Sequence, residues 1–160
     1  MSANVPSRSK AIVLRNNGIK NRFYALNKEG VATHTNAQMT AEAVKALFKN
    51  NPGDIKSIEL LSTGTSTPDQ LMPSHGVMVH GHLPETKPVE VVSPSGVCCA
   101  GMHAFKYAYL STKAGEVQNA VATGSERFSV SLLSANFEDE AKRLAALVED
   151  PYIGFEKEFL

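Results

Sequence analysis

With no excess of either charge, no long apolar run and only two cysteines, the sequence closes several functional classes at once. Sixteen lysines and arginines balance sixteen aspartates and glutamates over 160 residues. No basic stripe or acidic tail gathers them, so neither nucleic acid nor an anionic membrane surface is an expected partner. The longest apolar stretches run to a few residues, far short of the roughly 20 that a membrane-spanning helix needs. The opening MSANVPSRSKAIVLRNN has no apolar core of signal-peptide length. Cys98 and Cys99 are adjacent and have no third cysteine to pair with, which excludes a disulfide framework and suits a reducing compartment. There is no short internal repeat and no low-complexity segment. These absences predict a soluble, cytoplasmic, globular chain of one domain's length, large enough for a sizeable core.

Hydrophobic spacing and breaker residues divide the chain. A short helix is expected over Ser9–Asn17, ended by Gly18, and a short strand over Ile19–Leu26. Thr35–Asn50 reads as an amphipathic helix with Met39, Ala43, Val44, Ala46 and Leu47 inward, stopped by Asn51-Pro52-Gly53. A buried strand follows at Ser57–Thr63. Pro73 suits the first turn of a helix running to Leu83, and a second strand is expected at Val89–Val92. A helix then runs to about Ala114, with Gly115 as its stop. Asn119–Gly124 reads as another buried strand and Phe137–Val148 as a charged amphipathic helix. Strands alternating with helices predict an α/β fold with a mostly parallel sheet and helices on its faces. Reactive groups in such folds sit where a strand's carboxyl end meets the next helix.

One stretch lies at such a junction: Ser93–Tyr109, SPSGVCCAGMHAFKYAY. A β-branched run leads into a small-residue turn and then a helix expected to open on Cys98 and Cys99. Backbone amides at a helix start carry about half a positive charge, a field that favours thiolate over thiol. The residues alone leave two readings open, a nucleophile or a pair of small buried hydrophobes.

The run GVCCAGMHAFKYAY followed by AGEVQNAVATGSE resembles the nucleophile helix and following strand of the thiolase superfamily. The preceding LLSTGTSTPDQLMPSHGVMVHG is similar to the ketoacyl-ACP synthase III branch, where a Thr/Ser-rich strand end leads to a Pro-Ser helix start. The likeness extends over roughly Ile12–Glu126. It implies the N-terminal, nucleophile-bearing half of a thiolase-like fold across residues 1–160, with the C-terminal half absent.

The family's Cys-Ala-Gly pattern favours Cys99, whereas a spacing of two residues before the glycine favours Cys98. Laying Gly115–Gly124 on the family's equivalent segment and counting back without a gap lands on Cys98. Counting forward from the Val91–Ser93 strand gives the same position. Cys99 is then turned away by about 100° on a helix.

The resemblance implies transfer of an acyl group from a CoA or acyl-carrier-protein thioester to Cys98. Decarboxylative condensation with a malonyl thioester follows, in fatty acid or polyketide-like biosynthesis and with no further cofactor. Gly96, Ala100 and Gly101 would allow close approach, and the Cys98 amide is a candidate oxyanion donor. Met72, before the Pro-Ser pair, would reach across a homodimer interface to line the partner's acyl pocket.

The sequence also departs from the pattern. The family's catalytic histidine and asparagine lie in its second half, which nothing up to Leu160 resembles; its first strand is also missing, and Ala11 stands where an aromatic residue often stacks on adenine. None of the five histidines inherits the catalytic role. The expectation is therefore no condensation turnover from this chain alone. The alternative is a non-catalytic truncated or split subunit that needs a partner chain, with exposed sheet edges that favour self-association. His75, His80 and His82 do not match a zinc spacing, so no metal is expected. His103 lies five residues beyond Cys98, poorly aimed for a Cys–His dyad. Gly124-Ser125-Glu126 lacks the flanking glycines of a serine elbow.

Overall fold

The computed structural model describes residues 10–21, 23–131, 136 and 138–139. They fall into two compact units, Thr33–Arg127 and the flanking segments on either side of it. The helix expected over Phe137–Val148 lies almost wholly outside the described residues. No helix among the described residues is long and apolar enough to cross a membrane.

In the flanking unit, α1 (Lys10–Asn17) ends at Gly18, whose φ is 67°. The strand expected over Ile19–Leu26 is not present among the described residues. Only Leu26 bridges, antiparallel, to Ala32. The cause is local: the Asn27 side-chain oxygen accepts from the amides of Glu29 (3.1 Å) and Val31 (2.8 Å). Those bonds close a turn that competes with a ladder.

The central unit begins with α2 (Asn36–Leu47), capped as its sequence suggests. Thr35 Oγ1 accepts from the Gln38 amide (3.1 Å) and Gln38 Oε1 accepts from the Thr35 amide (2.9 Å), a reciprocal capping box. The buried face differs from the expected one. Asn36, Ala37, Thr40, Ala41 and Val44 face inward, while Ala43, Ala46 and Leu47 are exposed. Apolar spacing misplaces this face because two of its buried positions are polar and serve the network described below. A 3-10 turn, Pro52–Ser57, places Ile55 in the core before β1 (Leu60–Gly64).

After β1 come α3 (His75–Gly81), β2 (Glu90–Val92), α4 (Ala100–Ala114) and β3 (Ala120–Gly124). Pro73 precedes the N-cap, Ser74, rather than occupying the first turn of α3, and the helix stops short of the buried Leu83. The three strands form a parallel sheet in the order β2-β1-β3. Leu60–Ser62 pairs with Glu90–Val92, and Leu60–Gly64 with Ala120–Gly124. Every residue of β1 is buried, as a central strand covered on both faces requires. The edge strand β3 is only half-buried, less than its apolar run suggests.

Side chains alternate across the sheet. Leu61 and Val121 join Ala37, Ala41, Val44, Ile55, Ile58, Val79 and Leu83 in one core with α2 and α3. On the opposite face α4 lies against β1 and β3. Its buried positions are Ala100, Ala104 and Ala108, a stripe of small residues at helical spacing. Glycines let it come closer still. A Cβ at Gly64 would stand 2.1 Å from the Ala100 carbonyl oxygen, and a Cβ on either Gly101 or Gly124 would stand 3.1 Å from the other's Cα. The helix therefore packs backbone to backbone on the carboxyl end of the sheet.

Candidate functional site

All three strands end on one edge of the sheet, and the residues singled out in the sequence sit on the loops that leave it. Met72 lies between β1 and α3, and the cysteines between β2 and α4. The helix does not open on Cys98. Val97–Cys99 form a 3-10 turn, Cys99 is the N-cap, and Ala100 is the first residue of α4. Both cysteines are exposed, which removes the buried-hydrophobe reading and leaves both thiols open to reagents. Met72 is 85% exposed.

The turn that presents Cys98 is held by hydrogen bonds to its carbonyls. Val97 adopts φ 49°, a left-handed conformation that is a genuine outlier for a β-branched residue and costs on the order of 1–3 kcal/mol. Four consecutive carbonyls around it each accept a hydrogen bond. Pro94 O accepts from the Thr65 amide (3.2 Å), and Ser95 O from His103 Nδ1 (3.2 Å). Gly96 O accepts from the Cys99 amide (2.9 Å), and Val97 O from Ser66 Oγ (2.7 Å). One hydrogen bond earlier, Ser93 Oγ accepts from the Gly76 amide at the start of α3 (2.8 Å). His103 is thus a strut beneath the turn. A Cβ at Gly96 would meet its ring at 2.8 Å.

Beside the turn, two carboxylates tie the loop after β1 to the end of β3. Glu126 Oε1 accepts from the Ser66 amide (2.8 Å), and its Oε2 accepts from Thr67 Oγ1 (2.6 Å). Asp69 accepts from the amides of Asn36 (2.8 Å) and Ala37 (2.9 Å) at the start of α2. Arg127 Nη2 lies 3.4 Å from the same carboxylate. Asn36 Nδ2 in turn donates to Thr65 Oγ1 and to Thr67 O, both at 2.9 Å. None of these partners was visible as a motif. The pairs lie about 30 to 60 residues apart in sequence, and their only signal is the run of Thr, Ser and Asp after β1.

Deeper in, Thr40 Oγ1 donates to the Asn36 carbonyl (2.8 Å) and lies 2.7 Å from Ser125 Oγ. His75 Nε2 is 3.3 Å from both hydroxyl oxygens. His75 Nδ1 is buried without a partner among the described residues, so no carboxylate orients the ring as a serine triad would require. The histidine is only 3% exposed. Burial pushes its pKa below the ordinary 6.5, against the weaker opposing pull of Asp69 and Glu126. The folded chain thus binds this proton less readily than the unfolded chain. Stability contributed by neutral His75 should be complete above pH 6.5 and decline as pH falls below it, with a slope of at most about 1.4 kcal/mol per pH unit for one proton. Urea midpoints measured from pH 7.5 to 5 should show this decline in the parent, and a shallower one in His75→Gln.

The other histidines do not join His75. His80 is half-buried and His82 exposed, and among the described residues no group of three or more His, Cys, Asp or Glu side chains could hold a metal ion. A polar cleft of about 380 Å³ is lined by Thr33, His34, Gln38, Glu42, Lys45 and His82. Neither Cys98 nor Met72 belongs to it.

The parallel three-stranded sheet with α2 and α3 on one face and α4 on the other is part of a thiolase-like fold. The crystal structure of beta-ketoacyl-[acyl carrier protein] synthase III from Thermus thermophilus shares it, with a TM-score of 0.59 and 24% identity over 70% of this chain and 33% of that one. Among curated proteins, the chain is 30% identical over 112 residues to the beta-ketoacyl-[acyl-carrier-protein] synthase III of Neisseria gonorrhoeae strain NCCP11945, covering 70% of this chain and 33% of the relative. It is 31% identical over 117 residues to the protein of that name from Anaplasma marginale, covering 73% and 34%. These matches show the likeness to the ketoacyl-ACP synthase III family that the cysteine segment implies. The chain spans about a third of the length of the curated relatives it matches. No family model matches it.

Proposed function

We propose that this chain carries the nucleophile of a condensing acyltransferase of the ketoacyl-ACP synthase III type. The observation that supports this most directly is Cys98, exposed at the head of the 15-residue α4 and presented by a turn whose carbonyls are all bonded. Cys98 Sγ attacks the carbonyl carbon of an acyl-CoA or acyl-carrier-protein thioester. A new S–C bond forms, and the CoA or carrier thiolate leaves. A malonyl thioester then loses CO2, its enolate attacks the acyl-cysteine carbonyl, and the C–C bond forms as the Cys98 thiolate departs. The cysteine divides the condensation into two easier steps.

In this reading the Cys99 amide, committed to Gly96 O, leaves the Cys98 amide as the candidate oxyanion donor of the turn. Met72, exposed on its loop, lines the acyl pocket of a second copy. The histidine and asparagine that stabilise the enolate in such enzymes are assigned to no residue of this sequence.

Incubation with radiolabelled acetyl-CoA followed by peptide mapping tests the proposal. Label should appear on the peptide containing Cys98, survive Cys99→Ala, and vanish in Cys98→Ala. Label that persists in Cys98→Ala would refute the assignment.

A further inference from the structure

The turn before Cys98 is held from outside its own segment, and the group that holds its strained residue is a hydroxyl. Ser66 lies 31 residues earlier, just past the end of β1, yet its Oγ donates to the Val97 carbonyl at 2.7 Å. Val97 is the one non-glycine residue with positive φ among the described residues, and its side chain is 74% exposed. Side-chain packing therefore does little to maintain its conformation. What opposes relaxation is the set of bonds to the turn's carbonyls, and the Ser66 bond acts directly on the peptide that joins Val97 to Cys98. A strained residue persists where its surroundings over-determine it.

Ser66 is itself anchored. Its amide donates to Glu126 Oε1 at 2.8 Å, and the other oxygen of that carboxylate holds Thr67 through its hydroxyl at 2.6 Å and Thr65 through its hydroxyl at 3.4 Å. Thr65 also reaches the turn directly, through its amide to Pro94 O. Glu126 follows β3 and Ser66 follows β1, while the turn follows β2. One carboxylate thus links the carboxyl ends of all three strands and passes that constraint to the peptide before Cys98.

We infer that Ser66, anchored by Glu126, is the positioning residue for Cys98. Neither group touches the reacting atoms. They set where the thiol stands relative to the head of α4, and so its reactivity toward a thioester. The inference rests on the reading of Cys98 as the nucleophile for its meaning in catalysis, but the structural coupling can be measured without it.

Cys99 provides an internal reference, because it is exposed, adjacent, and already inside the helix-cap geometry. Limiting iodoacetamide with mass-spectrometric peptide mapping gives the ratio of Cys98 to Cys99 alkylation, using Cys98→Ala and Cys99→Ala to assign each site. In Ser66→Ala this ratio should fall roughly tenfold, within the roughly 100-fold that a 1 Å misplacement of a reacting group can cost, and acyl transfer from labelled acetyl-CoA should fall with it. Ser66→Thr, which keeps the hydroxyl, should restore both. Glu126→Ala should lower the ratio in the same direction, and it carries the test should Ser66→Ala fail to fold.

An unchanged ratio in the folded variants, or an equal change at both cysteines, overturns the inference. A falling ratio in a protein whose acyl label does not depend on Cys98 leaves the positioning role standing and removes the catalytic reading instead.

Discussion

Gly64→Ala is expected to destabilise the central unit by roughly 3 kcal/mol, at the upper end of what overpacking costs. The new methyl would fall 2.1 Å from the Ala100 carbonyl oxygen, 2.4 Å from its carbon and 2.8 Å from the Gly101 nitrogen. All three are backbone atoms, so no rotamer change relieves the overlap. Either the head of α4 lifts from the sheet or β1 bends away, and both responses break contacts around a strand that is buried at every residue. Lifting the helix would also displace the turn that ends at Cys99. The urea midpoint followed by circular dichroism gives the cost, with Gly81→Ala as the control. A Cβ at Gly81 meets nothing within 4 Å, and its place in the last turn of α3 should make alanine neutral to stabilising. Similar midpoints for the two variants would mean that the close approach of α4 to β1 is not a real constraint.

The second large effect is expected at Asp69, where replacement by alanine should cost about 2–3 kcal/mol. Its carboxylate accepts from two of the amides that no helical carbonyl can satisfy at the start of α2. Loss of a cap of this kind typically costs about 1 kcal/mol and up to about 2. The pairing with Arg127, whose side chain is itself largely buried, adds to that. Asp69→Asn keeps one accepting oxygen and should retain part of the stability. The ordering Asp, Asn, Ala in chemical unfolding checks the mechanism, and equal loss in Asn and Ala would show that charge rather than capping dominates.

What the sequence made legible is whatever depends on neighbours within one or two turns of chain. The amphipathic run from Thr35 marks α2, Gly18 and Gly115 mark helix ends, and the apolar run before Gly64 marks the central strand. The turn at Cys98 was placed correctly between strand and helix but drawn as helix from its first cysteine. Local preference offers no hint that a valine will accept φ 49°. That conformation is imposed from Ser66, which sequence reading had no reason to single out.

The same limit explains α2. Its inward face includes Asn36 and Thr40, polar residues whose partners Asp69, Thr65 and Ser125 are supplied by distant loops. Over Ile19–Leu26 the described residues form no ladder beyond the bridge from Leu26 to Ala32, and Asn27 closes the backbone on itself. The likeness to the thiolase superfamily was legible because the cysteine segment that carries it is contiguous. The groups that hold that segment in place are not.

Gly101 and Gly124 meet Cα to Cα where α4 crosses β3, each within 3.1 Å of the space a side chain on the other would fill. In evolutionary terms they behave as one position written twice in the sequence. A methyl at either site claims the same small volume, so two substitutions there should interact more strongly than distant sites do, the second costing more than the first. A side chain at either glycine needs the facing backbone to give by a few tenths of an ångström, and side chains at both need it to give twice.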